Sequence, residues 1–187
     1  MSAPTEDGDV RHRWIPSPHG PFLMTQRNGR LVATGWKRLG SAPPLGAQED
    51  RALRDELAHR ISLALEGSFQ DFTDLSLPPA TEFRRACWQQ ARRVPGGCTQ
   101  SYHQLAKAMG KPGASRAVGQ AMRNNPLPII VPCHRIVGAN GRLGGFSGSD
   151  RAETVGVVIK KELIGWEDVQ RKKNASDQAG MAVKRYQ

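Results

Sequence analysis

A cysteine, a histidine and an arginine stand side by side at Cys133-His134-Arg135, behind the stretch Pro126-Leu127-Pro128-Ile129-Ile130-Val131-Pro132. A thiol is a useful nucleophile only as thiolate, so it needs a neighbouring base or a positive environment. His134, Arg135 and a basic surrounding field could supply both. Three prolines exclude a helix and a central strand here, which predicts a stiff extended segment that delivers Cys133 to a fixed place. Adjacent side chains of an extended chain point to opposite sides, so a proton would leave Cys133 for His134 through a bridging water. The other two thiols read differently. Cys87 falls on the apolar face of a predicted helix, where a free cysteine is a small core hydrophobe, and Cys98 follows a Gly-rich turn with no base beside it. Three cysteines without CxxC spacing suggest neither a disulfide framework nor a Cys-rich zinc site. His12, His19, His59 and His103 show no paired ligand spacing, and no Gly-rich phosphate loop appears, so neither metal nor nucleotide cofactor is expected.

Several elements must hold this cysteine. Phe22 to Arg27 and Arg30 to Trp36 flank Asn28-Gly29, a pair that readily takes the two positive φ angles of a type I′ turn, so a β-hairpin is predicted, with Arg11 to Ile15 as a third strand. Leu53, Leu57, Ile61 and Leu65 recur every four residues within 47–66, and Gly67 follows as a stop, which predicts an amphipathic helix over the sheet. Residues 74–80 read as a linker. Thr81 then caps a helix whose Phe83, Cys87, Ala91 and Val94 share a face until Pro95-Gly96-Gly97. Two short segments follow, 101–109 and 114–123, joined by Gly110-Lys111-Pro112-Gly113, the pattern of a helix-turn-helix. The fold class is therefore α+β: a small N-terminal antiparallel sheet with a helix over 11–80, then a mainly helical domain over 81–167. Residues 1–10 and 168–187 read as flexible ends.

Charge says what the second unit meets. The 187-residue chain carries +10, yet residues 1–80 hold 9 basic and 10 acidic side chains, against 18 and 7 in the remainder. From Phe83 to Ser149 there is no acid at all, while ten Lys and Arg side chains stand there. A face that binds phosphates excludes acids in this way, and the expected partner is DNA rather than a membrane. In the second helix of the pair, Arg116 and Arg123 alternate with small Ala117, Gly119 and Ala121, which let a backbone approach a duplex closely. No apolar run is long enough for a membrane span, and the first residues lack the pattern of a signal peptide, so a cytoplasmic protein is expected, or a nuclear one in a eukaryote.

Pro132-Cys133-His134-Arg135, preceded by Asn125-Pro126 and by Arg116-Ala117-Val118-Gly119, with Ser101-Tyr102 upstream, resembles the O6-alkylguanine-DNA alkyltransferases, also called methylated-DNA-protein-cysteine methyltransferases. The likeness runs from about Thr81 to Glu167, and more weakly through Ser17-Pro18-His19-Gly20-Pro21 and Asn28-Gly29-Arg30-Leu31. It implies a monomeric protein that takes an alkyl group from O6 of guanine, or O4 of thymine, in double-stranded DNA, on a base rotated out of the helix. Cys133 would accept the alkyl group irreversibly, once per molecule, with His134 as base and a carboxylate holding the imidazole. Arg116 would fill the space the base leaves, and Tyr102 would crowd the backbone and hydrogen-bond the flipped base. Ser115, Ala117, Gly119, Arg123 and Arg135 would complete the DNA contact. Asn125 would brace the cysteine loop, and Met122, Pro128, Ile136, Phe146 and Ser147 would wall the pocket.

Two departures stand out. Phe146 occupies a position where the family commonly has Tyr, and the stretch Ser147 to Val158 is several residues longer than usual before Ile159 to Glu167 resembles the closing helix. Aligning that helix selects Glu167 as the carboxylate, with Glu162 as the alternative. A different class stays open: a helix-turn-helix module that binds or flags alkylated DNA without chemistry, with Cys133 structural or redox-sensing.

Overall fold

The computed structural model describes residues 8–143, 145–146 and 155–184. Three strands, β1 (Val10–Ile15), β2 (Phe22–Arg27) and β3 (Arg30–Trp36), form an antiparallel meander, and a two-residue β4 (Gln48–Glu49) adds to β1 in parallel. The sheet order is β3-β2-β1-β4. The hairpin turns at Asn28 (φ 48°) and Gly29 (φ 74°), the pair of positive angles a type I′ turn requires.

Helix α1 (Asp55–Leu65) buries Leu57, Ile61 and Leu65 in the same core as Phe22, Met24 and Trp36. It is shorter than the 47–66 periodicity predicts. Residues 48–49 pair with the edge of β1 instead, the Asp50 carboxylate accepts from Ala52 N at 3.0 Å to make a turn, and Arg54 takes a left-handed conformation that no helix continues through. Leu53 still reaches the core from that turn.

The second unit is helical. Thr81 caps α2 (Glu82–Arg92) by accepting from Arg84 N, and Cys87, Trp88 and Ala91 are its buried face. Ser101 and Gln104 form a reciprocal capping box at the start of α3 (Tyr102–Ala108), and a turn at 110–113 leads to α4 (Ser115–Arg123). Just before α3, β5 (Gln100–Ser101) pairs in parallel with β6 (Ile136–Val137). This small ladder sets the chain entering α3 beside the chain leaving Cys133. The core is continuous from sheet to helices.

The last helix, α5 (Val155–Lys184), corrects two expectations. It begins four residues before Ile159, so the long connection ends at 154. It also runs on through 168–184, where a flexible tail is expected. That stretch contains no proline, and Asp168 bridges to Arg171 at 2.8 Å and Lys172 at 2.6 Å, one turn on, which supports a helix lacking an apolar stripe. Among the described residues no helix is long and apolar enough to cross a membrane.

Candidate active site

Cys133 is not on an extended segment. Residues Cys133–Arg135 form a single 3-10 turn, in which successive side chains fan out by about 120°. All three residues are buried. Asn125 stitches the loop from inside. Its Nδ2 donates to Val131 O at 2.9 Å and to Cys133 Sγ at 3.2 Å, while its Oδ1 accepts from Leu127 N at 2.9 Å. One amide group therefore ties both ends of the proline-rich segment to the sulfur.

His134 and Arg135 converge on one carboxylate. Glu167 Oε1 lies 3.0 Å from His134 Nε2 and accepts from Arg135 Nη2 at 2.7 Å; Oε2 accepts from Arg135 Nε at 3.0 Å and from Gly97 N at 3.2 Å. Arg135 also donates to Val94 O at 2.8 Å. The expectation that Arg135 meets DNA is therefore corrected: the 3-10 turn sends its guanidinium inward, where Glu167 and Val94 occupy it. Gly97 has to be glycine, since it sits at φ 71° and a Cβ would lie 2.8 Å from Glu167 O. Glu162, the alternative carboxylate, instead stands 3.4 Å from Nδ1 of His19.

The electrostatics follow from burial. Burial pushes the His134 pKa below its ordinary value, against the pull of Glu167, so the ring is neutral at pH 7. With Glu167 accepting from Nε2, the network assigns the proton there and leaves Nδ1, buried and without a hydrogen-bond partner among the described residues, as the basic atom. Glu167 itself is held at about 2: burial opposes ionisation, but the bonds from His134 and Arg135 win. Burial raises the Cys133 thiol, and the Asn125 amide and the Lys160 charge draw it back.

Lys160 is absent from the sequence-based set. It is buried on α5, donates to Ile136 O at 2.6 Å, and burial pulls it down to about 8 while Cys133 opposes the shift. The signal was a lysine one turn from Leu163 and two turns from Glu167 on the inward face of the helix. Tyr102, half-buried at the first turn of α3, has its phenol raised by burial and then by the Cys133 charge.

Met122, Ile136 and Phe146 join Cys133 in one buried cluster, and Phe146 packs on Trp36 with ring centroids 5.9 Å apart. Pro128 is buried at the preceding turn. Ser147 lies outside the described residues. On α4, Arg116, Ala117 and Arg123 are exposed, Ser115 and Gly119 are half-buried, and Val118, Ala121 and Met122 face the core. A Cβ on Gly119 would meet nothing within 4 Å. Nothing inside the protein asks for glycine there.

Fold and site together define a helix-turn-helix protein with a buried cysteine, its sulfur hydrogen-bonded by Asn125, in the same unit as its basic helix. The family described as 6-O-methylguanine DNA methyltransferase, DNA binding domain, matches residues 82–169. A methylated-DNA–protein-cysteine methyltransferase of Methanosarcina acetivorans is 36% identical over 141 residues, 73% of this chain and 90% of that protein. One from Shigella flexneri is 38% identical over 148 residues, 72% and 85% of the two chains. The crystal structure of Mycobacterium tuberculosis OGT in complex with DNA superimposes with a TM-score of 0.72 at 31% identity, covering 85% of this chain and 93% of that one. This chain belongs to the methylated-DNA–protein-cysteine methyltransferase family.

Proposed function

We propose that the protein repairs DNA by moving an alkyl group from O6 of guanine to Cys133. The observation that carries this reading is the line Glu167, His134 and a buried thiol with an amide donor on its sulfur, set behind a helix whose exposed face is small and basic. The Cys133 proton passes through a bridging water to Nδ1 of His134, and Glu167 stabilises the imidazolium that results. The thiolate attacks the alkyl carbon, a C–S bond forms as the C–O bond breaks, and the electron pair stays with guanine. A proton on the base then restores ordinary guanine: the Tyr102 hydroxyl, hydrogen-bonded to the base, donates it, and the proton held on His134 returns through water to the phenolate, so that neither group keeps a charge.

An in-line approach to the alkyl carbon needs the base out of the stack, so the target is flipped at a cost of a few kcal/mol. Arg116, exposed on α4, fills the gap. O4 of alkylated thymine offers the same chemistry and is a second substrate. The thioether has no acyl carbon for water to attack, which makes the reaction a single event per chain. Incubation of the protein as a monomer with O6-methylguanine duplex should add one methyl per chain, with repaired DNA stopping at one equivalent. Turnover beyond one equivalent would overturn the reading.

The open space beside Gly119 gives a prediction of opposite signs. Gly119→Gln should stabilise the fold, because a helix interior prefers Gln to Gly by roughly 1 kcal/mol or less. It should at the same time weaken duplex binding about tenfold or more, since the side chain occupies the space a backbone must enter, and a tenfold change needs only about 1.4 kcal/mol of binding free energy. Thermal melts and DNA titrations on the same preparation check both signs. Unchanged affinity would mean that α4 does not face the duplex.

A further inference from the structure

Thr34 belongs to β3 in the N-terminal unit and lies far from the Cys133 motif in sequence, yet it is hydrogen-bonded twice to the proline-rich segment. Its backbone N–H donates to Pro126 O at 2.9 Å, and its buried hydroxyl donates to Pro128 O at 2.9 Å. The next residue, Ile129, sits at φ 75°. A β-branched side chain in the left-handed region is an outlier that persists only where its surroundings over-determine it. Asn125 holds the segment from the cysteine side. On the other side the clamp is Thr34.

We propose that Thr34 is a positioning residue for alkyl transfer: its hydroxyl fixes the carbonyl of Pro128, keeps Ile129 in its strained conformation, and so sets where the pocket wall stands relative to the Cys133 sulfur. This rests on the alkyl-transfer reading and adds a residue from the other unit to it. Both Thr34 hydrogen bonds go to the proline-rich segment and neither to the helix-turn-helix. Losing the hydroxyl leaves a buried carbonyl unpaired, which the segment relieves by turning away from β3. The wall then shifts relative to the Cys133 sulfur, and a displacement of this kind, small and remote from the chemistry, is enough to slow a reaction strongly.

Single-turnover transfer from O6-methylguanine and O6-benzylguanine duplexes, with DNA affinity measured separately, tests the proposal on the full chain. Thr34→Val keeps the shape and loses the hydroxyl; Thr34→Ala loses both; Thr34→Ser keeps the hydroxyl. Assays run well below each variant's melting temperature. The Val and Ala variants should transfer methyl about tenfold more slowly or worse, with DNA affinity within about twofold, consistent with the cost of a misplaced reacting group. Benzyl and methyl transfer should fall by different factors, because a shifted wall changes the room left for the alkyl group. Thr34→Ser should run at the wild-type rate. Amide exchange at Val131 and Cys133, whose N–H groups bond within the loop, should quicken in the Val variant while exchange in β1 and β2 does not. Wild-type rates in Val and Ala, or a Ser variant as slow as Val, would overturn the role of the hydroxyl. Failure of the alkyl-transfer reading would look different: the wild-type protein itself would take up no alkyl group.

Discussion

Cys133→Ala should lose all alkyl transfer and keep its grip on alkylated duplex. Nothing else in the site can replace the sulfur: Cys87 is fully buried on α2, with burial pushing its thiol up to about 11, and Cys98 lies on the turn before β5. A thiol whose pKa is raised that far is almost wholly protonated at pH 7 and does not attack carbon. Binding has a separate basis. The exposed Arg116 and Ala117 and the open Gly119 are on α4, and the Cys133 side chain is buried behind them. Truncation to Ala also removes little volume, so the fold should hold. Peptide mass mapping of the reacted wild-type protein should place the methyl on the Cys133 peptide and none on those of Cys87 or Cys98. Residual transfer in Cys133→Ala, or methyl on another thiol, would move the nucleophile elsewhere.

Much of the site can be read along the chain because local rules act there. Asn28-Gly29 specifies its turn, Thr81 its cap, and the turn at 110–113 its pair of helices. Each of these depends on a few adjacent residues. Glu167 could be picked over Glu162 only by treating Ile159 to Glu167 as one helix, since direct counting from Cys133 crosses a connection of unusual length. The features that local rules miss are decided by residues distant in sequence. Arg135 reads as one more charge in a run of ten without an acid, and its burial depends on a carboxylate 32 residues away. Lys160 reads as a solvated charge next to Lys161, although only the former turns inward. Thr34 is an ordinary strand residue until its hydroxyl meets Pro128, 94 residues on. The 3-10 turn at Cys133 is hidden by its prolines, which fix φ before the turn and say nothing about the residues after it. The helical run beyond Glu167 is obscured by the absence of an apolar stripe, which a helix projecting past the core does not need.

Glu167→Gln should be the most damaging change that leaves Cys133 in place, because one carboxylate serves two buried partners. For His134 the loss is electrostatic: the imidazolium formed when the Cys133 proton moves is no longer stabilised, and removing such assistance costs about 10²-fold or more in transfer rate. For Arg135 the loss is structural. Its buried guanidinium keeps Val94 O and one amide oxygen but no counter-charge, and breaking a buried pair from one side costs about 3–5 kcal/mol. DNA affinity should stay near wild type, since neither partner reaches the surface. Glu162→Gln, which alters the contact with His19, should transfer at close to the normal rate.

The pH dependence separates these effects. Glu167 raises the His134 pKa against burial, so its removal lowers that pKa further; the acidic limb of the rate profile should shift to lower pH while the plateau falls, because the base that remains is weaker. Stability should respond through the Glu167 carboxylate itself. The Glu167 pKa is depressed to about 2, from an ordinary value near 4.3, so its stabilisation is complete above the unfolded value and is lost as pH falls through the folded one. Wild-type protein should therefore lose melting temperature steeply between about pH 4.5 and pH 2, on top of the earlier loss that begins near pH 6.5, where the unfolded chain protonates its histidines and buried His134 does not. Glu167→Gln should keep the first loss and lack most of the second. Melting curves across that range check the claim, and a variant whose acid profile runs parallel to wild type would mean that Glu167 is not the carboxylate that Arg135 and His134 hold ionised.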